Sequence, residues 1–84
     1  MDKYEFLALI TKDKPTLTFT NKEDGKKAVI EVVEVGTKDE EGNFQHALVE
    51  IKRNGESVKI YYDDLYSDWY NIYSDNEKYE VSVE

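Results

Sequence analysis

The chain has no cysteine, one proline, one histidine, one tryptophan and one methionine among its 84 residues. Without cysteine there is neither a disulfide framework nor thiolate-held zinc, the usual staples of a small secreted domain. With His46 as the only histidine, no triad with a conventional base can be drawn around a matched nucleophile. The four glycines (Gly25, Gly36, Gly42 and Gly55) all sit in turn-like surroundings, and none belongs to a phosphate-cradling loop. Long apolar runs are missing too. The first, Phe6 to Ile10, follows Asp2 and Glu5, and is too short and too acidic for a signal peptide or a membrane span. The sequence therefore predicts a cytoplasmic protein without membrane contact.

Positive charge is also scarce. Eleven lysines and arginines face 19 acids, a net charge of −8. That balance disfavours direct contact with nucleic acid or anionic lipid, where cationic side chains supply most of the affinity. It also keeps a small domain soluble, which is reason enough for many acidic proteins. The basic pairs Lys26-Lys27 and Lys52-Arg53 flank turns and are nearly cancelled by neighbouring acids.

What is present in excess lies at one end. Residues 61–84 hold six of the seven tyrosines, the tryptophan and seven acids against one base, Lys78, a formal charge of −6. Residues 1–60 carry only −2. An acidic and aromatic surface suits a basic macromolecular partner, since charge steers encounter and rigid rings give contact area.

Eighty-four residues predict a single small globular domain; such a chain buries roughly 60–65% of the surface it exposes when unfolded. Asp2-Lys3-Tyr4-Glu5 has capping-box spacing and predicts a first helix with Phe6, Leu9 and Ile10 on one face and Leu7 at its margin, ended by Lys14-Pro15. The alternation Tyr4, Phe6, Ala8, Ile10 leaves a strand open there. Thr16 to Thr20 alternates threonines with Leu17 and Phe19 and reads as a half-buried strand. Ala28 to Val35 is a second strand, apolar on both faces, and Thr37 to Asn43 reads as a polar loop.

Asn54-Gly55 is the clearest local signal, because both residues tolerate the positive φ of a type I′ turn. It sets a hairpin register: Arg53 opposite Glu56, Lys52 opposite Ser57, Ile51 opposite Val58, Glu50 opposite Lys59, Val49 opposite Ile60 and Ala47 opposite Tyr62. Apolar meets apolar on one face; Glu50/Lys59 and Leu48/Tyr61 lie on the other, with His46 on the face of Leu48 as a partly exposed strand residue. Beyond it, Tyr62, Leu65, Tyr66, Trp69, Tyr70 and Tyr73 follow helical spacing, predicting a short helix or 3₁₀ turn that ends at Ser74-Asp75-Asn76. Tyr79 to Val83 alternates as a last strand. The order predicts an α+β fold: an N-terminal helix, a five-stranded antiparallel sheet or small barrel, and a short helix before the last strand. The barrel form is similar in element order to SH3-like and Sm-like barrels.

No spacing singles out two acids for general acid–base work, so no enzyme is predicted. Asp39-Glu40-Glu41-Gly42-Asn43 and Asp63-Asp64 lack the Asp-x-Asp-x-Asp-Gly order of a calcium loop, so no metal or cofactor is predicted either. Tyr62, Leu65 and Trp69 are expected in the core. The candidate binding residues are the outer set: Asp63, Asp64, Tyr66, Asp68, Tyr70, Tyr73 and Asp75. In size, charge and Tyr/Asp content the chain resembles phage and mobile-element inhibitors, such as anti-CRISPR or anti-restriction nucleic-acid mimics, and nuclease immunity proteins. That likeness implies a basic protein partner, such as a nucleic-acid-binding enzyme, and a monomer or homodimer. Two other readings are a module that stacks a sugar or planar ligand on exposed rings, and a self-associating structural domain.

Overall fold

The computed structural model describes residues 2–84. Helix α1 (Lys3–Asp13) starts where the capping spacing puts it: the Asp2 carboxylate accepts the Glu5 N–H at 2.8 Å. It stops at Lys14, which takes a left-handed conformation (φ +44°) ahead of buried Pro15. Phe6 and Ile10 are fully buried. Leu7, expected at the margin, packs against the core, while Leu9 is only half-buried. The apolar arc is turned toward Leu7 because α1 touches a second helix as well as the sheet.

Strands β1 (Thr16–Asn21), β2 (Lys27–Lys38), β3 (Phe44–Arg53), β4 (Glu56–Tyr61) and β5 (Tyr79–Val83) form one antiparallel sheet in the order β4-β3-β2-β1-β5. β4 and β5 stand at opposite edges, so of the two predicted architectures the sheet is the open one and not a barrel. The β3–β4 register runs from Arg53↔Glu56 to Leu48↔Tyr61, each predicted pair in place as far as Val49↔Ile60. The expected pairing of Ala47 with Tyr62 does not form. Tyr62 instead begins helix α2 (Tyr62–Ser74), three and a half turns long, so of the predicted short helix or 3₁₀ turn the α-helix forms, and it ends at Ser74 as expected. Tertiary burial of its apolar stripe outweighs the modest helix propensity of tyrosine.

β2 is longer than its apolar run. Thr37 and Lys38 pair with Gln45 and Phe44, so the expected loop shrinks to a tight turn. Asp39 organises it: its Oδ1 accepts the N–H groups of Glu41 and Asn43, and its Oδ2 accepts the Gln45 amide. Two irregularities bend this long hairpin. From Val32 to Glu34 β2 advances two residues while β3 moves from Ile51 to Glu50; from Val35 to Thr37 β3 moves four, from Val49 to Gln45. Such bulges bend and twist a strand pair.

Because α2 joins strands at opposite edges, it has to cross one face of the sheet, where it touches β3, β4, β5 and α1. The core lies beneath the helices: Phe6, Ile10, Leu17, Phe19, Val32, Val49, Ile51, Leu65 and Trp69. The opposite face carries no helix and is the more polar.

Candidate functional site

α2 presents Leu65 and Trp69 to the core, with Tyr62, Tyr66 and Ile72 packed against it. Sequence reasoning placed Tyr62, Leu65 and Trp69 inward, and they are inward; Tyr66, expected in the outer set, is instead half-buried, because its ring packs against Phe6 of α1. A run of rings extends from the core to the surface. Phe6 meets Trp69 at 5.0 Å and Tyr66 edge-on at 5.5 Å. Tyr66 lies 6.0 Å from Tyr70, and Trp69 stacks on Tyr73 at 4.6 Å with planes 15° apart. Tyr70 and Tyr73 are 51% and 49% exposed, so each shows one flank to solvent while its neighbours hold the other. Among the described residues the indole N–H of Trp69 is buried with no hydrogen-bond partner.

At the start of α2 the contacts run to α1. The Tyr62 hydroxyl donates to the Lys3 carbonyl, and the Lys3 ammonium pairs with Asp63 while lying 5.6 Å from the Tyr62 ring centre. Burial raises the Tyr62 phenol above its ordinary value of 10.0, and the hydrogen bond to Asp63 raises the Lys3 ammonium above 10.5.

The seven predicted residues do not form one patch. With about 100° between successive helical residues, Tyr66, Tyr70 and Tyr73 share one flank, and Asp64 and Asp68 share another about 160° away. Asp63 is engaged by Lys3, and Asp75 caps the C-terminus of α2. Of the tyrosine flank, Tyr66 meets Phe6 of α1. On the acidic side Asp68 borders a groove of about 320 Å³ whose apolar lining includes Ile30 and Ile72 and whose far rim is Arg53 and Asn54. α2 carries no base, and Asp64, Asp68 and Asp75 form none of the ion pairs seen among the described residues.

A further concavity, about 390 Å³, lies on the helix-free face. Leu48 forms its floor at 5% exposure, Tyr61 and Lys59 a wall, and the turn residues Asp39, Glu40 and Glu41 the rim. It exists because the β2–β3 arm bends over that face, as the hydrogen bond from the Lys59 ammonium on β4 to the Lys38 carbonyl on β2 shows. Sequence reasoning missed this cleft. The available signal was Gly36 inside a β-rich run, which marks a bulge. Gly36 is buried at φ +86°, and a β-carbon there would meet the Phe44 ring at 3.0 Å. Phe44 in turn packs edge-on to exposed His46, 4.8 Å between centroids.

Among the described residues no group of three or more His, Asp or Glu side chains is placed to hold a metal ion, and no helix is long and apolar enough to cross a membrane. No protein-family model, curated protein or solved structure matches the chain.

Proposed function

We propose that this chain is a small, non-enzymatic protein-binding domain that inhibits or modulates a basic, nucleic-acid-handling partner. In this reading its aspartates occupy places that phosphates would take, as in the nucleic-acid mimics of phage and mobile elements. The observation that carries the proposal is the pair Tyr70 and Tyr73, half exposed on rings anchored in the core, on a helix with no base. Rings held this way lose little rotamer freedom on binding, which is what makes tyrosine effective at interfaces. The aspartate flank adds steering toward positive charge, and its influence fades with salt.

The separation of the two flanks means the partner embraces α2 from both sides or reads them with separate elements. The test is charge reversal at Asp64→Lys with Asp68→Lys, combined with Tyr70→Ala. Asp63 is unsuitable because its carboxylate holds Lys3, so reversal there would disturb the α1 contact. The captured partner should lose affinity for the combined variant by at least about tenfold at low salt. Full binding by that variant, or affinity indifferent to salt, sinks the proposal.

A further inference from the structure

The cleft on the helix-free face has a chemistry separate from the α2 surface. Its floor is the aliphatic side chain of Leu48, and its wall the ring of Tyr61, 49% exposed. Three carboxylates, those of Asp39, Glu40 and Glu41, rim it against one ammonium, that of Lys59. Two of these four groups already have hydrogen-bond partners, but both keep their charge, so the rim carries a net charge of about −2 with Lys59 counted. Asp39 accepts three hydrogen bonds that build the turn, and the Lys59 ammonium donates to the Lys38 carbonyl. Glu40 and Glu41 are exposed and enter no ion pair seen among the described residues. The open functional groups are therefore an aromatic face, an apolar floor and two carboxylates.

We infer that this cleft receives an arginine side chain from a basic protein partner: Tyr61 takes the guanidinium on its ring, Leu48 the aliphatic stem, and Glu40 and Glu41 the N–H fork. Charge complementarity sets the sign of the occupant. Shape chooses among cations, since a planar guanidinium stacks on a tyrosine face and offers paired donors to carboxylates, whereas lysine brings a compact, strongly hydrated ammonium. An arginine stem also buries well against an apolar floor while its head stays at a polar rim. The volume, about 390 Å³, is large enough to admit an arginine side chain. The site is rigid on both sides. Tyr61 is held in the sheet opposite Leu48, and the Asp39 turn is closed by its own hydrogen bonds. This inference stands whether or not the α2 surface binds a partner.

The experiment is an amide-shift titration of the whole chain with three capped tripeptides: glycine–arginine–glycine, and the same peptide with lysine or leucine at the centre. The arginine peptide should move the amides of Glu40, Glu41, Leu48 and Tyr61 and leave those of Tyr70 and Tyr73 still. Y61A, and separately the loop variant E40Q/E41Q, should each weaken that response by about fivefold or more. The loop variant alters only exposed carboxylates, so it keeps the test decisive if Y61A disturbs the sheet edge. Shifts confined to α2, an equal response to the lysine or leucine peptide, or a response unchanged in E40Q/E41Q overturns the inference.

Discussion

Trp69 and Tyr73 stack with ring centroids 4.6 Å apart and planes 15° from parallel, one ring 2% exposed and the other 49%. This pair connects the core to the candidate interface, so stability and binding should separate along it. Trp69→Ala should cost about 3–5 kcal/mol, as large core truncations do, and Tyr73→Ala about 0.5–1.5 kcal/mol for the lost stacking. Tyr70→Ala should change stability less than Tyr73→Ala while still weakening partner binding. Denaturant unfolding of the three variants checks the order; a Tyr70→Ala loss as large as that of Trp69→Ala would contradict it.

Trp69 also carries a buried N–H without a partner. Replacing it by phenylalanine removes ring volume but also an unsatisfied donor, whose desolvation costs about 1–3 kcal/mol. Trp69→Phe should therefore be much milder than Trp69→Ala, with a loss under about 1.5 kcal/mol. Paired chemical denaturation curves measure the difference.

Gly36 is tied to Phe44. A side chain at position 36 meets both the left-handed backbone and the Phe44 ring at 3.0 Å. Gly36→Ala should cost about 1–3 kcal/mol from backbone strain and crowding together. Gly42→Ala, where φ is +84° but nothing lies within 4 Å, should cost less. Adding Phe44→Ala to Gly36→Ala should recover the steric part and leave the φ part, giving a non-additive cycle in thermal melts.

Two carboxylates link the fold to acid. The Glu5 N–H holds the Asp2 carboxyl below its ordinary value of 3.8, and the Asn43 N–H and Gln45 amide do the same for Asp39. A carboxyl whose folded value is depressed stabilises the fold above its unfolded value, and that contribution fades as pH falls through the folded one. The start of α1 and the Asp39 turn should thus loosen below pH 3.8. Amide-exchange protection factors at Glu5, Glu41 and Asn43 should drop there before those of the core strands; a uniform drop would contradict local control.

The alkaline side has the opposite sign. The Tyr62 phenol is raised by burial and the Lys3 ammonium by its hydrogen bond to Asp63, so their contributions are whole below pH 10.0 and 10.5 respectively. Each is lost as pH rises through the folded value. Contact between the starts of α1 and α2 should weaken in that range. In Tyr62→Phe the tyrosine contribution to that transition disappears, and comparison of the two alkaline unfolding profiles tests it.

Much of this molecule is written locally. Asn54-Gly55 has a turn chemistry that few other dipeptides share, and matching charges and apolar residues around it leave one register for β3 and β4. Asp2 with Glu5 sets the start of α1. The spacing of Leu65, Trp69 and Tyr62 states which side of α2 goes inward. These features need only near neighbours, so they were legible from the residues in order.

The sequence by itself determined the elements from β1 onward, the β3–β4 register from Arg53↔Glu56 to Leu48↔Tyr61, the inward placement of Leu65 and Trp69 on α2, and the acidity of its outer residues. The tertiary structure alone decided that the sheet stays open, because closure depends on whether β4 and β5 meet, and α2 carries the chain to the opposite edge instead. Helical spacing alone separates the aspartates of α2 from its tyrosines; the tertiary structure decided that Tyr66 on the tyrosine flank is covered by Phe6 of α1. Finally, it made the cleft of Leu48 and Tyr61, which arises only when bulges in a long hairpin fold a distant turn back over the sheet.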